Sequence, residues 1–84
     1  MKCWVYMLRC GDGTLYTGST GDVERRLVLH QSGRGAKYTR GRGPLEVVYR
    51  EECPDRSAAL RREAEIKRLS RREKEALAAQ TENA

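Results

Sequence analysis

Within one short stretch, Trp4 to His30, the chain places Tyr6, Tyr16, Arg26 and His30, with Gly18 two residues after the second phenol. Polar and titratable groups of these types, so close together, exceed what a hydrophobic core requires. Further on, Glu63 falls on the apolar side of a helical wheel, between Ala59 and Leu60. A carboxylate on an inward face is costly unless it is paired or binds a cation. A salt bridge to Arg26 or another basic group would satisfy it, and so would a metal ion. Glu65 falls opposite, among Arg61, Arg62 and Arg68. Arg26 borders the apolar stripe of its own helix, a position that also suits an ordinary surface arginine with its stem packed down. Residues 32–44 carry Arg34, Lys37, Arg40 and Arg42 without a single acid, interleaved with four glycines and Tyr38. Cations, glycine-freed backbone amides and one stacking ring suit a nucleic-acid contact; a solvated, flexible connection is the plainer reading.

The order of these groups carries a resemblance. Val5-Tyr6, then Tyr16-Thr17-Gly18, then Arg26 eight residues beyond Gly18, resembles the signature of the GIY-YIG nuclease superfamily. The first motif stands here as Trp4-Val5-Tyr6 and the second as Tyr-Thr-Gly. The likeness continues through Gly35-Ala36-Lys37-Tyr38-Thr39-Arg40-Gly41 and from Arg56 to Glu63, so it spans nearly the whole chain. It is closest to the small stand-alone bacterial branch. Each motif is weak alone; their order and spacing together are specific.

That resemblance implies an enzyme, a divalent-metal-dependent endonuclease acting in DNA repair or processing, with one Mg²⁺ or Mn²⁺ ion. It implies that Tyr16 or Tyr6 activates or orients the attacking water and that Arg26 binds the scissile phosphate, where a planar fork suits two oxygens. Glu63 would hold the metal, with waters completing its shell. His30 would assist proton transfer or tune a tyrosine, and Gly18 would let backbone pass close to the phosphate. An unperturbed tyrosine, with a pKa of about 10, is a poor base at neutral pH, so Arg26 or the metal would have to lower it. The competing reading is a catalytically weak nucleic-acid-binding module on the same scaffold. A decayed site should have lost one of these groups, which favours the enzyme. A protein-interaction domain would leave the basic loop unexplained.

The elements that position these groups are legible too. Residues 2–10 are apolar on both alternating sides, as in a central strand covered on both faces. A shorter strand follows at 14–19, and Gly11-Asp12-Gly13 marks a hairpin. A three-residue loop with Gly13 left-handed pairs Leu8 with Tyr16 and Tyr6 with Gly18, placing both tyrosines on one face; a two-residue loop would separate them. Asp22 caps a helix to about Gln31, ended by Gly33. A third strand over 44–52 turns Leu45, Val47 and Tyr49 inward. Asp55 caps a helix to about Leu69, and Ser70 with Glu73 forms a capping box for a last helix to about Gln80, with the end from about 78 onward frayed. The expected fold is α+β, a small three-stranded antiparallel sheet flanked by helices, in one domain over 1–84.

Composition sets the remaining bounds. At 84 residues the chain is near the lower limit for a self-sufficient core. Its net charge of +5 is concentrated, with eight basic groups against four acids in residues 56–77. Such a surface favours a polyanionic partner, because each phosphate neutralised releases counterions. The basic loop and the helix after Asp55 are therefore expected to contact phosphates of nucleic acid, with DNA favoured over RNA. Three cysteines, Cys3, Cys10 and Cys53, without C-x-x-C spacing argue against a disulfide framework and a zinc site. Nothing resembles a signal peptide or a membrane span, so no membrane partner is expected. A cytoplasmic setting is the simplest, with a monomer favoured over an oligomer.

Overall fold

Three strands and three helices follow one another in the computed structural model, which describes residues 2–35 and 39–82. They are β1 (Cys3–Arg9), β2 (Leu15–Thr20), α1 (Val23–Gln31), β3 (Glu46–Cys53), α2 (Arg56–Lys67) and α3 (Arg71–Glu82). The sheet is antiparallel with order β2-β1-β3. The expected α+β sheet-and-helix fold is present, with β1 central as its two apolar faces require. Val5, Tyr6, Met7 and Leu8 are all buried to 1% exposure or less. Burying each such side chain stabilises the fold by about 1.5–3 kcal/mol.

The two faces of the sheet hold separate cores. Val5, Met7, Val48, Tyr49 and Cys53 pack against Ala59 and Ile66 of α2 and Ala78 of α3. Tyr6, Leu8, Cys10 and Leu45 pack on the other face against Val23 of α1, with Trp4, Tyr16, Leu27 and Val47 beside them. The hairpin has the three-residue form. Cys10 N–H donates to the Thr14 carbonyl at 2.8 Å, Gly13 has φ +86°, and the register pairs Leu8 with Tyr16 and Tyr6 with Gly18.

The expectation for β3 needs correction. Leu45, Val47 and Tyr49 do not share a face, because Met7 pairs with Tyr49 while Leu8 pairs with Val47. Val48 is the extra residue of this irregularity. An inserted residue breaks the two-residue alternation, so Leu45 and Val47 serve the α1 core and Val48 and Tyr49 the other. Two further expectations shift. Leu60, placed on the apolar side of its helix by the wheel, is 48% exposed. The chain from 78 is not frayed at once: α3 runs to Glu82, and Ala78 is buried in the core.

The helices start where their caps predict. Asp22 accepts from Arg25 N–H, Asp55 from Ala58 N–H, and Ser70 and Glu73 exchange the two bonds of a capping box. Polar clamps fasten α2 and α3 to the sheet. Arg9 of β1 grips Glu75 of α3 with two bonds of 2.7 and 3.0 Å. Arg62 of α2 donates to Glu51 of β3, which also accepts from the Tyr49 hydroxyl.

Candidate active site

Because Tyr16 and Gly18 alternate with Thr17 and Ser19 along β2, the edge strand sends its side chains to both layers. Tyr16 joins Tyr6 of β1 and His30 of α1 on one face. Ring centroids lie 6.4 Å apart for Tyr6 and Tyr16, and 5.2 Å for Tyr16 and His30, edge to face. Ser19 turns to the other face, where its hydroxyl donates to Glu63 Oε1 of α2 at 2.7 Å. The candidate groups therefore straddle one strand.

Gly18 is where that strand must be thin. A Cβ there would lie 2.7 Å from the Tyr6 hydroxyl and 3.1 Å from the Tyr16 ring. The expected reason for this glycine was approach of a phosphate; the space above it is taken by Tyr6.

His30 is buried and bonded through both ring nitrogens, with Nε2 2.8 Å from the Tyr6 hydroxyl and Nδ1 2.8 Å from Thr39 Oγ1. Two proton arrangements satisfy a neutral ring. Either Tyr6 donates to Nε2 and Nδ1–H donates to Thr39, or Thr39 donates to Nδ1 and Nε2–H donates to Tyr6. Burial, and then the Arg26 charge, push the His30 pKa below its ordinary value. The neutral form is thus the folded one.

Stability should therefore depend on pH through this residue. Unfolded histidine takes a proton near its ordinary pKa of about 6.5, whereas folded His30 resists it. The contribution is complete above that value and declines as pH falls below it toward the lowered folded pKa. Denaturant melts at neutral pH and near pH 5 should show wild type losing stability on acidification, and His30→Gln losing less.

Tyr6 is held as a neutral phenol. Burial raises its pKa to about 12; the Arg26 side chain draws it back only in part, and the charges of Tyr16 and Glu63 raise it further. The field of Glu63 thus reaches this hydroxyl across the thin strand.

Glu63 Oε2 is 2.6 Å from Lys67 Nζ, one helical turn on. Burial opposes ionisation of Glu63, but the Lys67 ammonium and the Ser19 hydroxyl outweigh it and hold the carboxyl below its usual range. Its side chain is 16% exposed, against 62% for Glu65, which pairs with Arg62 on the outer face. The partner of Glu63 is thus Lys67, not Arg26. Among the described residues no three His, Cys, Asp or Glu side chains cluster to hold a metal. One hard carboxylate with waters and a substrate phosphate is nevertheless a donor set that Mg²⁺ or Mn²⁺ accepts, so Glu63 fits the ion.

Of the loop residues expected to bind nucleic acid, Arg34 is exposed, Arg40 Nε donates to the Gly33 carbonyl at 3.3 Å, and Arg42 pairs with Asp12. Lys37 and Tyr38 lie outside the described residues. Three residues in the site were missed. Lys67 was legible, since a glutamate four residues before a lysine is a favoured helical pair. Ser19 and Thr39 reach their partners over 44 and 9 residues, and no local pattern announces such contacts.

Residues 2–76 match the sequence model of the GIY-YIG catalytic domain. The chain belongs to the GIY-YIG family. A UPF0213 protein of Natronomonas pharaonis is 58% identical over 76 residues, covering 90% of this chain and 89% of its own. Solved structures agree. The UPF0213 protein BH0048 of Bacillus halodurans, 53% identical, superposes with a TM-score of 0.61 over 94% of this chain and 84% of its own. Protein EF2693 of E. faecalis, 38% identical, gives 0.66 over 100% and 90%. The UPF0213 name specifies no activity. The GIY-YIG catalytic domain implies a nuclease-type function on nucleic acid, and such nucleases generally depend on a divalent metal. No helix among the described residues is long and apolar enough to cross a membrane.

Proposed function

We propose that this GIY-YIG chain is a divalent-metal-dependent endonuclease, hydrolysing phosphodiester bonds of DNA in repair or processing, as a cytoplasmic monomer. One observation carries the reading: Tyr6, Tyr16 and His30 converge in one ring cluster, with the Tyr6 hydroxyl 2.8 Å from His30 Nε2, and Ser19 of the same strand β2 holds Glu63. A core has no use for that convergence.

Hydrolysis requires a positioned water, neutralisation of the phosphoryl charge and help for the leaving oxygen. Tyr16, half-buried beside the others, orients the water and, after giving up its own phenolic proton to solvent, accepts the water's proton as the phenolate. Tyr6 is unsuited to that task, being buried and raised to about 12. It serves instead as a positioning residue, holding His30 through Nε2. Arg26 binds two oxygens of the scissile phosphate. His30 keeps Tyr6 in place through Nε2, with its own ring fixed by the bond from Nδ1 to Thr39. Glu63 would hold the ion, with Lys67 drawn aside, and the ion would supply Lewis-acid stabilisation of the phosphoryl charge and the leaving oxygen. The Lys67–Glu63 pair also favours a second reading, a weakly catalytic binding module in which the lysine keeps the carboxylate closed.

A cleavage assay on structured DNA and RNA substrates, with Mg²⁺ and with Mn²⁺, separates the two. Metal-dependent products are expected, and Arg26→Ala should lower turnover by about 100-fold or more, as loss of a transition-state contact does. Binding without cleavage of any substrate under either metal would leave the module.

A further inference from the structure

We infer that a single nucleic-acid strand lies along the outer edge of β2, its phosphates held by cations of α2 and α3 and one base seated beside Leu60. This rests on the nuclease reading and goes beyond it by naming the path of the substrate. Order β2-β1-β3 leaves one side of β2 without a strand neighbour. Shallow grooves lie along β2 beside α2 and α3, the last of them reaching the start of β1. At one end, a groove of about 180 Å³ lies between Thr14, Leu15, Arg71 and Lys74. It adjoins one of about 340 Å³, which shares Leu15 and Lys74 and adds Tyr16, Thr17 and Lys67. Lys67 leads to Glu63 and Glu63 to Ser19. Ser19 opens the largest groove, about 490 Å³, whose walls include Lys2, Arg56, Ala59 and Leu60.

Charge and surface chemistry both select the occupant. Lysines and arginines line all three grooves, and no acid lines any of them. Lys2 and Arg71 share themselves with Glu52 and Glu75 at 3.5 Å, while Lys74 and Arg56 have no carboxylate partner among the described residues. Glu63, the acid midway, is the proposed metal ligand and is neutralised by Lys67. A row of cations with Tyr16 and Glu63 midway along it matches a polyanion that runs past them. The six residues of β2 extend about 20 Å at roughly 3.3 Å each, room for a few nucleotides. The apolar wall at the far end explains Leu60, a large hydrophobic residue 48% exposed on a helix whose other exposed residues are charged or small. An unstacked base offers an apolar face to such a wall, and a duplex hides its bases. In the loop, by contrast, Arg42 is engaged by Asp12 and Arg40 by backbone.

The test is fluorescence anisotropy of a short labelled oligonucleotide in EDTA, across a salt series, as single-stranded DNA, single-stranded RNA and blunt duplex. Lys74→Ala with Arg56→Ala is compared with Arg34→Ala with Arg40→Ala; none of the four touches Tyr6, Tyr16, His30 or Glu63. Wild type should bind single strands more tightly than duplex. The track variant should flatten the slope of log affinity against log salt by about 1.4, or 0.7 for each of two lost phosphate contacts. Leu60→Ser should weaken binding and leave the slope unchanged. Tighter binding of duplex, or a slope altered only by the loop variant, overturns the track and leaves the nuclease reading standing. Wild type that binds none of the three probes overturns both.

Discussion

Glu63→Gln is expected to lower metal-dependent cleavage by about 1000-fold or more, while Glu65→Gln leaves it within about twofold. The two carboxylates are two residues apart and equal in charge, so net charge cannot distinguish them; their surroundings do. Glu63 sits against β2 with Ser19 on one oxygen and Lys67 on the other. Glu65 faces solvent with Arg62 at 3.3 Å. Glutamine keeps the shape and can still accept from Ser19, so the variant loses the charge alone. The pair with Lys67 is an i,i+4 helical pair whose lysine is more than half exposed, worth about 0.3–0.5 kcal/mol. Stability should therefore stay within about 1 kcal/mol of wild type. Nucleic-acid binding should be held or tightened, because a negative charge leaves a basic surface. Turnover, thermal melts and binding in EDTA measured on both variants provide the check. If Glu63→Gln unfolds the protein and the surviving folded fraction cleaves normally, Glu63 is a structural ion-pair partner and not a metal ligand.

Much of the fold was legible because its signals are local. Gly11-Asp12-Gly13 gave a loop length, the loop length gave the register, and the register put Tyr6 and Tyr16 on one face. Asp22, Asp55 and the Ser70–Glu73 box marked helix starts through side-chain chemistry that needs only three residues. The inward setting of Glu63 followed from helical periodicity. The errors lie where periodicity is interrupted or depends on a distant neighbour. The extra residue Val48 re-assigns faces along β3, and nothing in a run of Leu, Val and Tyr reveals it. Leu60 is apolar by type yet exposed, since what covers a helix is decided by the elements around it. The wiring of the site was the least legible part. Thr39 lies in a stretch that reads as a basic loop, and its bond to His30 depends on how that loop returns across α1.

The choice between the two phenols yields the other large effect. Tyr16→Phe is expected to reduce turnover by about 100- to 10,000-fold, the range general-base assistance supplies. The phenyl ring keeps its contacts with Tyr6 and His30, and only the hydroxyl is removed. Tyr6→Phe should behave differently. Its hydroxyl is the partner of His30 Nε2 in a buried setting, so removing it leaves a ring nitrogen without a bond at a cost of about 1–3 kcal/mol. A lower melting temperature and a moderate fall in turnover should follow, the latter smaller than for Tyr16→Phe. The rank order of the two losses, measured at saturating substrate on folded protein, decides the assignment. Turnover abolished by Tyr6→Phe and untouched by Tyr16→Phe would make the buried phenol the base. The raised pKa of Tyr6 would then have to fall when substrate and metal bind, bringing a second positive charge to a hydroxyl that Arg26 alone does not bring into range.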